Sequence, residues 1–219
     1  MAVLVWDASG DRIFETGISK GVLFPLDPTT GLYETGVAWN GLTAVTESPS
    51  GAEASPFYAD NMKYLSLTSA EEFSATIEAY TYPEEFALCD GSAEIAVGVS
   101  ISQQTRKQFA LVYTTLLGND LAGNDYGYKI HIIYGATAAP TERGYQTVND
   151  SPEAITFSWE LTTNPVLVTG HAPSAHLVID STVIPAADLA AIESSLYGAA
   201  AAEPTLLLPD AIVTLCGVG

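Results

Sequence analysis

Alternation of apolar and polar side chains is the main pattern along this chain. Between Glu153 and Glu160, Ile155, Phe157 and Trp159 alternate with polar residues. Successive side chains of a β-strand point to opposite faces, so this segment is predicted to be a strand with one face in the core. The other face would present Thr156, Ser158 and Glu160 to solvent or to a lumen.

The same alternation recurs from Phe73 to Tyr80, where Ser74, Thr76 and Glu78 form the polar side. The segment from Lys107 to Leu116 is apolar at nearly every position and is therefore predicted to be a strand covered on both faces. Further strands are predicted in four regions and at the C-terminus, namely Gly36–Thr46 around an Asn40-Gly41 turn, Lys63–Thr68, Tyr126–Tyr134, Ala175–Asp180 and Ala211–Leu215. Lys129 and His131 lie on the polar side of their strand, and Lys129 is expected to pair with a carboxylate across strands.

One helix is predicted, over residues 185–197. Leu189, Ile192 and Leu196 share a face at i, i+3 and i+7, Pro185 suits the first helical position, and Gly198 suits the position after the end. No internal repeat is present, and no shift of composition marks a second domain before about Pro165. The pattern therefore predicts one mainly β domain over residues 1–219, an antiparallel sandwich or barrel with a flanking helix near the C-terminus.

Two segments stand apart from the strands. Residues 47–61 are rich in Pro, Gly and Ser and are predicted to form a surface loop. Residues 1–20 are predicted to form an N-terminal arm in which Trp6 could contact a neighbour. The apolar start lacks a basic leader region, and no run reaches the roughly 20 apolar residues of a membrane span. A soluble protein made in a reducing cytoplasm is expected, with Cys89 and Cys216 as separate thiols.

The charge balance is unusual because bases are scarce. The chain has 26 Asp and Glu but only 7 Lys and Arg, which gives a net charge of -19. Such a surface cannot gain affinity by displacing counterions from phosphates, so DNA sequestration is excluded as a function. A negative wall that lets DNA pass without binding is compatible with this charge, and so is acidity that merely keeps a protein dispersed.

Catalytic and metal-binding patterns are weak. Glu84, Glu85 and Asp90 could be offered as a carboxylate pair, but adjacent strand residues point to opposite faces. His171 and His176 are five residues apart without further ligands nearby in the sequence, and no nucleophile or phosphate-binding motif is present. We therefore predict a protein that is not an enzyme and has no catalytic residue, cofactor or metal ion.

Several spaced segments resemble the major tail tube proteins of long-tailed bacteriophages, the siphophage major tail protein family. They are Glu71–Phe86, Tyr126–Tyr134, Glu153–Glu160, Leu196–Gly198 and Leu208–Asp210. The resemblance spans roughly residues 17–215. It implies a β-sandwich with a flanking helix, hexameric rings whose inner strands join into a barrel, and stacking of these rings into the tail tube of a virion.

The resemblance also implies roles for particular residues and partners. The lumen would be lined by Ser74, Thr76, Glu78, Thr156, Ser158 and Glu160. Ring stacking would use the loop residues Glu47, Ser50, Glu53, Phe57, Tyr58 and Asp60, and Trp6 would contact a neighbour. The partners would be other copies of the chain, a tape-measure protein and tail-end proteins, while DNA would pass through without specific binding.

Other functions stay open at this point. The chain could be a capsid-decorating or baseplate protein, or a β-sandwich that binds carbohydrate on a virion surface. Either polar strand face could lie on the outside of a monomer, and residues 47–61 could be an ordinary surface loop. A carbohydrate-binding module should expose clustered aromatic residues, whereas Trp39 and Trp159 are expected in the core.

Overall fold

The computed structural model describes residues 3–148, 150 and 154–217, and it is mainly antiparallel β as predicted. The strands are β1 (Ile13–Pro25), β2 (Val37–Trp39), β3 (Leu42–Glu47), β4 (Ser50–Gly51), β5 (Ala54–Ala59), β6 (Met62–Thr68), β7 (Glu71–Glu72), β8 (Ser74–Ala79), β9 (Ala93–Ala96), β10 (Val99–Ile101), β11 (Phe109–Asn119), β12 (Gly123–Ala138), β13 (Phe157–Thr163) and β14 (His176–Asp180). The helices are α1 (Phe86–Asp90), α2 (Ala186–Tyr197) and α3 (Pro209–Leu215).

The main sheet runs in the order β2-β1-β11-β12-β13-β8-β3, and β14 pairs separately with β12. The long strand β12 pairs with two strands along the same edge. Its residues Lys129–Ile133 pair with β14, and Ala136–Ala138 pair with β13. Gly135 lies between the two pairings with φ 58°, and a Cβ there would lie 2.3 Å from the carbonyl oxygen of Asn164. Glycine is therefore required where β12 passes from one neighbour to the other.

The curled sheet encloses the first hydrophobic core. The two strands at the ends of the sheet order, β2 and β3, are joined by the Asn40-Gly41 turn, in which Gly41 has φ 80°. The ring centroid of Trp39 on β2 lies 5.8 Å from that of Trp159 on β13. Trp39 Nε1 donates a hydrogen bond to the carbonyl oxygen of Thr81. The other large buried side chains of this core include Leu23, Ile77, Phe86, Phe109, Leu111 and Ile133.

A second core lies between the opposite face of the sheet and the C-terminal helices. Ile192 and Leu196 of α2 and Ile212 of α3 pack with buried residues of β1, β11 and β12, which are Val22, Phe24, Ala110, Val112, Ile130 and Ile132. The predicted apolar face of α2 is confirmed, and β11 is buried on both faces as its sequence indicated. Pro185 is the N-cap residue and not the first helical residue.

Two helices of the structure, α1 and α3, were not predicted from the sequence. Ala211–Leu215 is not a strand but lies in α3, where Pro209 occupies the first turn and Asp210 lies near the positive end of the helix. A five-residue apolar segment is too short for its periodicity to distinguish strand from helix. The short helix α1 was also not predicted, and it ends at Gly91, whose φ of 80° is the left-handed conformation that favours glycine at this position.

The boundaries of two other elements differ from the prediction. β13 begins at Phe157, so Ile155 and Thr156 precede the strand, while Glu153 lies outside the described residues. β1 extends from Ile13, so residues 13–20 of the predicted arm belong to the main sheet. The two cysteines are separate thiols as expected, and burial raises the pKa of Cys89 to about 12.

We predict that Leu196→Ala destabilises the fold by about 2–5 kcal/mol, because it leaves a cavity beneath α2. Leu196 is fully buried, whereas Leu167 is 83% exposed. Leu167→Ala is therefore the matched control, with an expected change below about 0.5 kcal/mol. Urea unfolding monitored by circular dichroism measures both, and equal effects would contradict the packing described for α2.

Candidate assembly surfaces

Residues 50–72 form a β-ribbon that extends the chain between β3 and β8. Its hairpin β5-β6 is closed by Asp60 and Asn61, with φ 51° and 62°, and β4 pairs with β7 at its base. Two central residues with positive φ form the type I′ turn that favours a tight hairpin. The prediction of a loop over residues 47–61 was therefore wrong in secondary structure. Proline and glycine would weaken a buried strand and so suggested a loop, but the exposed ribbon tolerates Pro56 and glycine.

The ribbon exposes apolar side chains along both of its long strands. Phe57 lies directly opposite Leu65, and Leu67 follows two residues further along on the same face. These three side chains are 50%, 39% and 58% exposed, and Tyr58, Met62 and Tyr64 are more exposed still. Contiguous exposed apolar surface of this kind is typical of interaction sites. We call the Phe57, Leu65 and Leu67 side chains the apolar ribbon face.

The residues predicted for ring stacking are spread along this part of the chain. Glu47 ends β3, Glu53 lies between β4 and β5, and the others lie in β4, β5 and the hairpin turn, namely Ser50, Phe57, Tyr58 and Asp60. Phe57 and Tyr58 therefore belong to the ribbon, whereas Glu47 points towards β11, where it accepts a hydrogen bond from Tyr113 Oη. Their role in stacking stays a prediction.

Five of the six residues predicted for a lumen share one polar surface. Ser158 pairs with Glu78 and Glu160 pairs with Thr76 across β13 and β8, with Ser74 further along β8. The opposite side of these strands is buried in the first core, where Ile77 and Trp159 are fully buried. Thr156 is exposed but precedes β13 and is not part of this pairing. We call the other five residues the polar strand face, namely Ser74, Thr76, Glu78, Ser158 and Glu160.

The N-terminal segment before β1 is extended and exposed. Trp6 is 76% exposed, and its apolar neighbours Val3, Leu4 and Val5 are exposed to a similar extent. Gly10 is held to the β11-β12 turn, because its N–H donates to Asp120 and its carbonyl accepts from Asn119. The segment is therefore attached near Gly10, and its apolar residues are available to a neighbour.

Asp90 is held in a structural ion-pair cluster. Its carboxylate accepts a hydrogen bond from Trp159 Nε1 at 3.0 Å and pairs with Arg143 and, at 3.9 Å, with Arg106. Arg143 also lies over the rings of Tyr82 and Phe157. Glu84 and Glu85 are exposed and take no part in this cluster. The arrangement attaches α1 and the segment around Arg143 to β13.

The structure brings together two histidines that are distant in the sequence. His131 on β12 and His176 on β14 lie on neighbouring strands, and Glu47 approaches both at 3.6 and 3.4 Å. Burial lowers the pKa of both imidazoles, which favours their neutral forms. His171 is exposed and lies outside this cluster, so the spacing of His171 and His176 was not the relevant signal.

The expected pairing of Lys129 is confirmed. Its Nζ lies 2.7 Å from Glu15 Oε2 across β11, and the same carboxylate approaches His131 Nε2 at 3.3 Å through its other oxygen. Alternation within β12 correctly predicted that Lys129 and His131 share one face of this strand. The partners on β1, β3 and β14 could not be identified without the strand order.

Comparisons with known proteins find distant structural likeness but no match in sequence. No protein-family model and no curated protein sequence matches the chain. A chain from the cryo-EM structure of the anti-feeding prophage (AFP) baseplate, 6-fold symmetrised, aligns with a TM-score of 0.40 and 10% sequence identity. The alignment covers 80% of this chain and 97% of that chain. A likeness of this degree assigns neither a family nor a function.

Within the described residues, the helices are all too short or too polar to cross a membrane.

We predict that Asp90→Ala lowers the free energy of unfolding by about 3 kcal/mol, because it leaves Trp159 Nε1 and two arginines without their common partner. This value is at the low end for a buried pair, since both arginines are partly exposed. Glu84→Ala removes an exposed carboxylate nearby and should change stability by less than about 0.5 kcal/mol. Chemical denaturation compares the two, and an equally small effect of both would show that Asp90 has no structural role.

Proposed function

We propose that this chain is a structural subunit of a phage tail that assembles into stacked hexameric rings and forms the tail tube. The observation that supports this most directly is the apolar ribbon face, which a monomer would leave in water. A β-ribbon with two exposed edges and apolar side chains is suited to contact other chains. The segments that resemble major tail tube proteins support the same function.

Ring closure has a physical basis in the strand edges. Among the strands that the structure describes, β14 pairs only with β12, and β3 ends the main sheet. An unpaired edge favours pairing with another chain, and a closed cyclic ring satisfies the edges of all its subunits. The ribbon lies outside the main sheet, so it is free to contact the next ring while the sheet contacts neighbours within a ring.

The polar strand face is proposed as the lumen wall. It combines hydroxyl groups with the carboxylates of Glu78 and Glu160, and both glutamates are exposed. A wall with negative potential repels phosphate, so DNA can pass without being retained. The proposed partners are further copies of the chain, a tape-measure protein within the tube and tail-end proteins. The proposed location is the virion tail after synthesis in the host cytoplasm.

A baseplate protein is the second candidate, because it could use the same edges to form a ring. The two functions differ in whether rings stack. Negative-stain imaging of the purified protein separates them, since a tube protein forms stacks or tubes on concentration and a baseplate ring stays single. A monomer at every concentration in analytical ultracentrifugation would contradict both.

We predict that the double substitution Phe57→Ser and Leu67→Ser prevents stacking and leaves the fold intact. Both side chains are about half exposed, so the stability should change by less than about 0.5 kcal/mol each. Sedimentation velocity and negative-stain imaging measure assembly, and circular dichroism checks the fold. The control substitutes two exposed residues away from the ribbon, Leu121→Ser and Val183→Ser. Tubes formed equally by both variants would exclude the ribbon as the stacking surface.

We predict that Glu78→Lys with Glu160→Lys allows assembly but makes the tubes retain DNA. Each substitution raises the charge of a subunit by two units, and all subunits of a ring would place the change on the same wall. Lysines on the wall bind phosphates by releasing counterions, most strongly at low salt. Co-sedimentation of labelled DNA with tubes at about 0.01 M salt measures retention, since charges are then screened only beyond about 30 Å.

The control for this experiment is Glu84→Lys with Glu203→Lys, which makes the same change of charge at exposed positions outside the polar strand face. Equal retention of DNA by both variants would mean that the total charge matters and that the polar strand face is not the lumen. In virions carrying the first variant, DNA ejection should slow at low salt and recover as salt is added.

A further inference from the structure

The histidine cluster consists of Glu47, His131 and His176, which come from three different strands. His131 Nδ1 lies 3.3 Å from His176 Nε2 and 3.6 Å from Glu47 Oε1. His176 Nε2 lies 3.4 Å from the same Glu47 oxygen. Three potential ligand atoms thus form a nearly equilateral triangle within the fold.

The size of this triangle matches the coordination of zinc. Zinc binds imidazole nitrogen at about 2.0–2.1 Å and carboxylate oxygen at about 2.0–2.2 Å in tetrahedral geometry, which places neighbouring ligand atoms about 3.3–3.6 Å apart. All three distances of the cluster lie in that interval. An ion above the triangle would reach all three atoms without movement of the strands.

The hydrogen bonds around His131 leave Nδ1 free to bind a metal. The Thr115 hydroxyl donates its single proton to Glu15 Oε1, so it can only accept from His131 Nε2, which lies 3.0 Å away. Glu15 Oε1, an acceptor, also lies 3.3 Å from Nε2. Nε2 therefore has the proton, and Nδ1 presents a lone pair to the cluster. A carboxylate that orients a histidine in this way is typical of metal sites.

The other two ligands are also oriented by their surroundings. Tyr113 Oη donates to Glu47 Oε1 at 2.8 Å, which leaves a second lone pair on that oxygen. The ring of Phe73 stacks on His176 at 4.8 Å, and that of Tyr113 stacks on His131 at 4.7 Å.

We propose that Glu47, His131 and His176 bind one zinc ion or a divalent transition-metal ion of similar preference. The three protein ligands leave a fourth position for water, and the side chain of Glu47 is 36% exposed, so an ion has access to the site. Two imidazoles and one carboxylate suit zinc better than magnesium or calcium, which prefer oxygen ligands.

The site lies at the base of the ribbon. Glu47 is the last residue of β3 before the ribbon, and Phe73 follows β7 directly and stacks on His176. A bound ion would therefore fix both ends of the ribbon to β12 and β14. If the proposed stacking function is correct, the ion also sets the orientation of the apolar ribbon face. This consequence rests on the proposed function, whereas the proposal of metal binding does not.

The test uses the full chain without an affinity tag, first stripped with a chelator. Isothermal titration with zinc chloride should show one ion per chain. His131→Gln and His176→Gln should each lower the affinity by at least about 100-fold, since loss of an outer-sphere partner alone costs about 10–100-fold. His171→Gln is the matched control and should leave the affinity unchanged. Glu15→Gln should weaken binding by about 10–100-fold through His131.

Cobalt substitution provides an independent measurement. Bound Co²⁺ should give the visible absorption of a four-coordinate ion in the wild-type protein and in His171→Gln, and this absorption should be lost in His176→Gln. Circular dichroism establishes that each variant is folded. If a histidine variant does not fold, Glu47→Gln replaces it, because this substitution keeps both imidazole rings. Absence of saturable binding, or equal binding by His131→Gln, His176→Gln and the control, would show a hydrogen-bonded cluster only and overturn the proposal.

The consequence for the ribbon is tested separately in the Phe57→Ser and Leu67→Ser variant, which is expected not to stack. Zinc should protect the ribbon of this variant from limited proteolysis, and His176→Gln in the same background should remove the protection. Failure of tubes to form in the wild type would contradict the assembly function and leave zinc binding unaffected. Failure of zinc to bind while tubes form would contradict only the metal site.

Discussion

Burial of β11 and β12 on both faces is the constraint on which the fold depends. One face of these strands lies in the first core, and the other is covered by α2 and α3 in the second. Strands covered on both sides must be apolar at almost every position, and β11 meets that condition over Phe109–Thr114. The helices therefore complete the sheet, since without them Val112, Ile130 and Ile132 would face water. Both proposed surfaces belong to parts of the chain that lie outside this doubly covered region.

The scarcity of bases acquires a structural meaning from where the bases lie. Lys107 and Lys129 pair with Glu34 and Glu15, and Arg106 and Arg143 pair with Asp90. Lys20 lies over the rings of Tyr128 and Tyr197. Most of the 7 basic residues thus have structural contacts, whereas carboxylates such as Glu78 and Glu160 are exposed. The surface potential is therefore set by acids, and bases contribute mainly to holding strands and loops together.

Alternation along the chain was sufficient to predict most strands, because the period of two is a local property that burial of one face enforces. It predicted the polar sides of β8 and β13 correctly, and the paired register of Glu78 with Ser158 then placed them on one surface. It predicted β6 of the ribbon as a strand over Lys63–Thr68, but it missed β5, because that strand buries neither face and shows no alternation. The histidine cluster was also beyond local reasoning, since its members are brought together only by the pairing of β12 with β14 and the position of β3.

The ribbon and the main sheet also differ in how far apart their contacts lie along the sequence. The hairpin joins neighbours around Asp60 and Asn61, whereas the pairing of β1 with β11 joins Ile13 to Asn119. Local hairpins form within about 1–10 μs, while contacts of high sequence separation form slowly. The ribbon hairpin is therefore expected to form before β1 pairs with β11. Under the proposed function, chains that meet before the main sheet is complete would be exposed to misassembly through their ribbons.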